Sequence, residues 1–395
     1  MYIQRLIEPK LHEIIQKGKS VLLLGARQTG KTTLIKHLHQ ADLFYSLLDP
    51  ELRLRLERSP NLLGQEIEAY KTLNGLEHSP LVIIDEVQKV PALMDAIQLL
   101  IDNRVAQFIL TGSSVSKLRR HSQFNLLPGR VINFHLDPLC LSEMTNAISD
   151  LEFLLLYGSL PGIYLERDLK TKQLILESYV KNYLEEEVRG EALVRQLGDF
   201  ARFLEFAAIE SGHQININNL SHELGVSRHT VSEYFRVLED CLIAEKIEPI
   251  TTCETRKRLT KAPKYLFIDM GIRRIAAAEG TQLSSKTMGN LFEQFIGLEL
   301  LKILRIKQPS AKLRYWRDHA GPEVDYVIEN NKVYTPIEIK WSETPTIKDA
   351  RHLVKFMDEY HCTAHAYIIC RATKPLLLSP KIIALPWQEL PTIIL

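Results

Sequence analysis

The sequence predicts an α/β protein in several parts: a parallel sheet covered by helices, an all-helical stretch, a helix-turn-helix segment and a second, smaller α/β region. Three observations point there. Apolar runs of strand length alternate with helical patterns over residues 1–140, as in a parallel sheet covered on both faces. A glycine-rich stretch sits between the first strand and the first helix of that pattern. Near the C-terminus, two strand-like runs flank the turn Asn330-Asn331-Lys332 and carry an Asp…Glu-x-Lys spacing.

The expected strands of the first part are 21–24, 44–48, 81–84, 108–110 and 131–134. After the first comes Gly25-Ala26-Arg27-Gln28-Thr29-Gly30-Lys31-Thr32, followed by Thr33 and a helical run. Gly25 and Gly30 let the backbone curl so that successive N–H groups face phosphate oxygens. Lys31 brings a positive charge to the β and γ phosphates, and Thr32 offers a hydroxyl to Mg²⁺. A helix N-terminus behind the loop favours the anion. The third strand ends in Asp85-Glu86, where P-loop enzymes place a metal-holding aspartate and where an adjacent glutamate polarises the attacking water. The first part therefore reads as a P-loop NTPase sheet with ATP and Mg²⁺ as ligands. The nucleotide contacts fall at Gly25–Thr33, the metal ligands are Thr32 and Asp85, and the catalytic groups are Lys31 and Glu86.

Composition narrows the classes. The chain has 395 residues, 45% hydrophobic and 25% charged, with a net charge of +1, so any nucleic-acid surface must be local. Cys140, Cys241, Cys253, Cys362 and Cys370 are scattered with no Cys-x-x-Cys pair, which fits a reducing cytoplasm rather than a disulfide framework or zinc site. The N-terminal residues lack the apolar core of a signal peptide, and no apolar run approaches the length of a membrane span. A cytoplasmic protein without a membrane partner is expected.

Residues 141–215 read as a helical lid, with Leu174, Ile175, Tyr179, Leu184, Phe200, Phe203, Leu204 and Phe206 at helical spacing. The stretch from Leu151 to Leu165 reads as one packed helix ending in a turn. Residues 216–275 carry a helix-turn-helix: Leu220 and Leu224, then Gly225, then Ser227 as N-cap of a second helix, with a wing strand over 242–247. Arg228, His229, Ser232 and Arg236 project from the second helix toward DNA in that reading. A structural helix pair fits the pattern equally well. Arg256-Lys257-Arg258, Lys261 and Lys264 form the densest basic cluster, either a solvated loop or a phosphate contact.

Residues 276–395 have their own constellation. Asp325 opens one strand, and Glu338 and Lys340 share a face of the next. Glu293 lies on an amphipathic helix upstream. Carboxylates plus a lysine suit metal-assisted phosphodiester hydrolysis. The spacing resembles the PD-(D/E)XK nuclease superfamily, whose fold is restriction-endonuclease-like α/β. Paired strands with exposed Glu and Lys are also common without it.

Taken together, residues 25–32, 84–91 (Ile-Asp-Glu-Val-Gln-Lys-Val-Pro), 110–114 (Leu-Thr-Gly-Ser-Ser), 128–130 (Pro-Gly-Arg), 157–162 (Tyr-Gly-Ser-Leu-Pro-Gly), 224–231, 265–271 and the segment from Glu293 to Lys340 resemble prokaryotic AAA+/STAND-like P-loop ATPases with a C-terminal domain of unknown function. The resemblance implies an ATPase core, a helical lid, a winged helix and a nuclease-like domain. It also implies Ser113 as γ-phosphate sensor and Arg130 as sensor or arginine finger. DNA is the partner expected from the helix-turn-helix and the basic cluster, and a homo-oligomer is a further expectation, since AAA+-like cores often act across subunit interfaces. Two functions follow as expectations: an ATPase acting on DNA with a metal-dependent nuclease site at Glu293, Asp325, Glu338 and Lys340, or a nucleotide switch that binds protein or DNA and cuts nothing.

Overall fold

In this computed structural model the described residues are 2–38, 41–114, 127–144, 150–183, 197–251, 259–282, 284–318 and 321–394. The chain divides into two compact units. One comprises Met1–Pro138 with Asp240–Ile243, and the other Leu139–Glu239 with Ala244–Leu395.

The first unit is built on five parallel strands: β1 Ser20–Leu24, β2 Leu43–Ser46, β3 Leu81–Asp85, β4 Gln107–Gly112 and β5 Val131–His135. Their order across the sheet is β2-β3-β4-β1-β5. The five strands expected from the sequence are all present. Val21, Leu22, Leu23, Val82, Ile83, Ile84, Ile109 and Leu110 are buried. That is why the inner strands read as continuous apolar runs rather than alternating ones. Because every strand points the same way, the residues that follow β1, β3 and β4 gather at one edge of the sheet. A ligand of an open parallel sheet binds at that edge.

The second unit starts with short helices. Leu151–Tyr157 and Pro161–Leu165 are two helices, not the single one that the apolar pattern suggests. Gly158 breaks them at φ +75°, and a Cβ there would lie 2.0 Å from Asp269 Oδ1. Helices Leu169–Ser178 and Leu197–Ile209 follow. Leu184 lies outside the described residues. The helix-turn-helix is present as Ile217–Leu224 and Arg228–Asp240, with Gly225 at φ +69° between them. Asn216 and Ser227 cap the two helices, accepting from the N–H groups of Asn219 and Thr230. Phe203 packs edge-on against Phe235, anchoring the second helix.

A hairpin follows, β6 Ala244–Pro249 and β7 Lys264–Phe267, paired antiparallel from Ala244↔Phe267 to Ile247↔Lys264. It also continues into a larger sheet. β6 pairs in parallel with β8 Lys312–Arg317 at Glu248↔Arg314. β9 Glu323–Asn330, β10 Val333–Ile339, β11 Ala366–Cys370, β12 Leu376–Ser379 and β13 Ile382–Pro386 complete the order β12-β13-β11-β10-β9-β8-β6-β7. One sheet thus takes strands from both sides of residue 275. Helix Arg351–Glu359 covers it through Leu353 and Phe356, which pack with Trp316, Val327 and Ile368.

Fully buried charges brace this unit. Lys302, on helix Ser285–Lys307, donates to Glu299 Oε1 at 2.8 Å, to the Leu139 carbonyl at 2.9 Å and to Ser159 Oγ at 3.1 Å. Asp269 accepts from the N–H of Ser159, Gly271 and Ile272. Each of these buried groups has several hydrogen-bond partners, and removing one member of a buried ion pair costs about 3–5 kcal/mol.

The same helix comes so close to β9 that a Cβ on Gly297 would lie 2.3 Å from the Tyr326 hydroxyl oxygen. Gly297→Ala is therefore expected to destabilise the fold by about 1–3 kcal/mol despite the better helix propensity of alanine. Gly280→Ala, with nothing within 4 Å of its new Cβ, is expected to stay near wild type. Urea unfolding of the two variants measures the contrast.

Candidate functional site

The loop after β1 is shaped by close approach. A Cβ on Gly25 would meet the Leu136 carbonyl oxygen at 2.4 Å, so only glycine fits. Gly25 N–H donates to the Gly112 carbonyl, which seats the loop on β4. Gly30 takes φ +94°, a conformation other residues avoid, and helix Lys31–Leu38 starts directly after it. Thr29 Oγ1 donates to the Ala26 carbonyl at 2.9 Å and closes the curl. Lys31 is buried and donates to the carbonyls of Gly25 at 2.8 Å and Ala26 at 2.9 Å. Its ammonium group therefore lies over the loop. Ala26, Arg27, Gln28 and Thr33 occupy the positions expected of them in the loop and first helical turn, with Gln28 at φ +62°.

Asp85 is fully buried at the end of β3. Thr32 Oγ1 lies 3.0 Å from Asp85 Oδ2 and 3.1 Å from Oδ1. Thr111, on the intervening strand β4, donates its hydroxyl to Asp85 Oδ1 at 2.5 Å. A hydroxyl beside a carboxylate is a hard oxygen donor pair, and that suits Mg²⁺. Glu86 sits at φ +62°, and its N–H donates to Thr111 Oγ1 at 3.0 Å. Glu86 Oε2 accepts from Ser113 Oγ at 3.0 Å and from Gln88 Nε2, and Gln88 also donates to Ser113 Oγ at 2.9 Å. Lys31, Thr32, Asp85, Glu86 and Ser113 thus gather at one sheet edge. Thr111 and Gln88 were missed as site residues, although both lie inside motifs already singled out. Strand alternation on β4 puts Thr111 on the side of Asp85.

Arg130 is elsewhere. The following residue, Val131, pairs with Ser20 at the start of β1, whereas the phosphate loop follows its end. Five residues of strand separate the two by roughly 15 Å. Arg130 Nε instead donates to Asp102 Oδ1 at 2.7 Å. It therefore stands apart from the residues gathered beyond β1, β3 and β4, whereas the resemblance implied a place near the nucleotide.

On helix Arg228–Asp240 the side chains of Arg228, His229, Ser232 and Arg236 are all exposed, while Val231, Tyr234, Phe235 and Leu238 are buried. Ser232 Oγ donates back to the Arg228 carbonyl at 3.0 Å, and Arg236 lies 3.8 Å from Glu233. Arg256, Lys257 and Arg258 lie outside the described residues. Lys264 does not belong with them as a surface phosphate contact: it is buried and ion-pairs with Glu293 at 3.1 Å and Glu323 at 2.9 Å.

That pairing changes the C-terminal constellation. Ile337 faces Tyr326 across β10 and β9, which makes Glu338 and Asp325 the next opposed pair. Asp325 Oδ2 accepts from Ile339 N–H at 2.7 Å, and Lys340 Nζ donates to Glu338 Oε1 at 2.6 Å. Burial and the neighbouring Glu338 and Glu293 carboxylates hold Asp325 well above the usual carboxylate range. Burial pushes Glu338 up to about 7 against the pull of Lys340. For Lys264, burial works against the charge, but Glu293 and Glu323 outweigh it and hold its pKa well above the ordinary value. Glu338 Oε2 is buried without a hydrogen-bond partner, an opening for a cation. Yet among the described residues no group of three or more His, Cys, Asp or Glu side chains is placed to hold a metal ion. The expected third carboxylate, Glu293, is tied to an internal ammonium group instead.

Three family models cover most of the chain. Residues 17–145 match one described as an AAA domain, 148–286 a domain of unknown function (DUF8612), and 288–390 a second domain of unknown function (DUF4143). An uncharacterized protein of Mycobacterium tuberculosis is 26% identical over 340 residues, 86% of this chain and 74% of that one. An uncharacterized protein of Methanocaldococcus jannaschii is 24% identical over 344 residues, 75% and 71% of the two chains. Among solved structures, a Signal Transduction ATPase with Numerous Domains (STAND) protein with a tetratricopeptide repeat sensor, from Pyrococcus horikoshii, is 15% identical. It matches over 78% of this chain and 47% of its own, with a TM-score of 0.29. Superpositions at that score define neither fold nor function for this chain. Among the described residues, no helix is long and apolar enough to cross a membrane.

The raised Glu338 has a pH signature. Folded Glu338 keeps its proton to about pH 7, whereas the ordinary value is 4.5. Between those values folded Glu338 holds its proton more tightly than the unfolded chain does, so the stability this group contributes is fully present below 4.5 and is lost as pH rises through about 7. Glu338→Gln is expected to flatten that slope and to raise stability relative to wild type at pH 8 more than at pH 5. Urea unfolding at the two pH values reads it.

Proposed function

We propose that this chain, whose first unit carries a P-loop ATPase domain of AAA type, binds ATP and hydrolyses it. The observation that supports this best is the convergence of Lys31, Thr32, Asp85, Glu86 and Ser113 at the edge of one parallel sheet. The N–H groups of Gly25–Thr33 bind the phosphates. Lys31 exchanges its loop carbonyls for phosphate oxygens and offsets the charge that develops on the transferred group. Thr32 and Asp85 would hold Mg²⁺, which neutralises phosphate charge when bound. Glu86 accepts the proton of the attacking water as its oxygen bonds to the γ-phosphorus and the bond to the β-phosphate oxygen breaks. Ser113 and Gln88 hold that carboxylate in one orientation, so little reorganisation is needed in the reaction.

Lys31→Ala is expected to lose nucleotide binding and turnover together. Glu86→Gln should keep binding while turnover drops about 10²-fold or more. Equilibrium binding of ATP and steady-state phosphate release separate the two effects. Full turnover in Lys31→Ala would sink the assignment.

For the second unit we favour the reading in which nucleic acid is held but not cut. The exposed row Arg228, His229, Ser232 and Arg236 on a capped helix-turn-helix supports contact with a phosphate backbone. The Lys264–Glu293 ion pair speaks against a three-carboxylate metal site. Duplex DNA binding should weaken in Arg228→Ala/Arg236→Ala and lose about two units of salt slope, with no cleavage by wild type in Mg²⁺ or Mn²⁺. Gel-shift titrations over a salt series, with labelled DNA checked for products, test both parts. Cleavage that disappears in Glu338→Ala/Lys340→Ala would restore the nuclease.

A further inference from the structure

Arg5 lies outside every motif, in the stretch before helix Glu8–Gln16, yet it is buried with only 5% of its surface exposed. Nη1 donates to the Thr29 carbonyl at 2.8 Å and Nη2 to the Asp137 carbonyl at 2.7 Å. Thr29 is in the middle of the phosphate loop. Asp137 lies two residues past β5 and next to Leu136, whose carbonyl blocks any side chain on Gly25 and whose N–H donates to the Leu24 carbonyl at 2.7 Å. The loop is thus held at both places by the same short segment: Gly25 rests on Leu136, and Thr29 reaches Asp137 through the guanidinium. Arg5 is itself fixed, since its N–H donates to Glu8 Oε1 at 2.6 Å and Tyr2 hydroxyl bonds the same oxygen.

A peptide unit is planar and trans, so a carbonyl and the next N–H point in opposite directions. Fixing the Thr29 carbonyl outward, onto Arg5, therefore turns the Gly30 N–H the other way, into the loop. A planar guanidinium with two parallel donors sets such an orientation better than a lysine ammonium on a flexible stem. We infer that Arg5 is a positioning residue for nucleotide binding, holding the Thr29–Gly30 peptide so that its N–H faces the phosphate that ATP and ADP have in common. The inference rests on the ATPase reading above.

The test uses the full chain and the variants Arg5→Lys and Arg5→Gln. Titration with fluorescent ATP and ADP analogues is combined with steady-state ATPase kinetics and thermal unfolding. Loss of a charge-assisted bond to the loop is expected to raise Kd for both nucleotides and KM by about tenfold in Arg5→Gln and by less in Arg5→Lys. kcat at saturation should stay close to wild type, because the reacting groups are untouched. A merely structural arginine would lower the unfolding temperature and leave Kd of the folded variants unchanged, and that result overturns the inference. So does a fall in kcat with KM constant. If Arg5→Gln does not fold, Arg5→Lys alone decides on the same readouts. A wild-type chain that binds neither nucleotide fails the ATPase reading itself, whereas tight binding by wild type and both variants alike fails only Arg5.

Discussion

The two hydroxyl hydrogen bonds on Asp85 are the constraint from which the first unit's site follows. A carboxylate with no solvent exposure persists only if its oxygens are satisfied, and here Thr32 and Thr111 satisfy them. Leaving it unpartnered would cost about 1–3 kcal/mol or more for a charge. Thr32 comes from the first turn of the helix after the β1 loop, Asp85 from β3, and Thr111 from β4, the strand between β3 and β1. One buried acid therefore fixes the spacing of three strand ends. Glu86 inherits its place from this, because its N–H bonds the same Thr111 hydroxyl and its side chain meets Ser113 just beyond β4.

Four glutamates of the second unit are handled in the opposite way. Glu293 and Glu323 are neutralised by Lys264, Glu299 by Lys302 and Glu338 in part by Lys340. Asp85 is held by neutral hydroxyls, whereas Glu293 is already ion-paired with Lys264. The same residue types that make a ligand site in one unit make an internal brace in the other. Which of the two results depends on whether a buried ammonium group reaches the carboxylate first.

Much of the first unit was legible in the chain because its signals are local. Five apolar runs gave five strands, and the glycine spacing at 25 and 30 located a loop whose geometry tolerates no Cβ at Gly25. The helix-turn-helix was equally readable from Gly225 and the Ser227 cap. What escaped was long-range. Nothing near Arg5 in sequence indicates a partner at Asp137, and nothing near Lys264 indicates Glu293. Arg130 was misplaced because its motif says nothing about strand polarity, and the register Val131↔Ser20 puts it at the far end of the sheet. The merging of β6 with β8 was hidden for the same reason: pairing between strands over sixty residues apart leaves no periodic trace.

A crystal structure of the full chain with Mg²⁺ and a non-hydrolysable ATP analogue tests most directly the assignment of this sheet edge to ATP. Lys31 Nζ is expected to leave the Gly25 and Ala26 carbonyls for β- and γ-phosphate oxygens, with Thr32 and Asp85 facing the metal. An analogue bound away from Gly25–Thr33, or a bound analogue with Lys31 still on its loop carbonyls, would contradict that assignment.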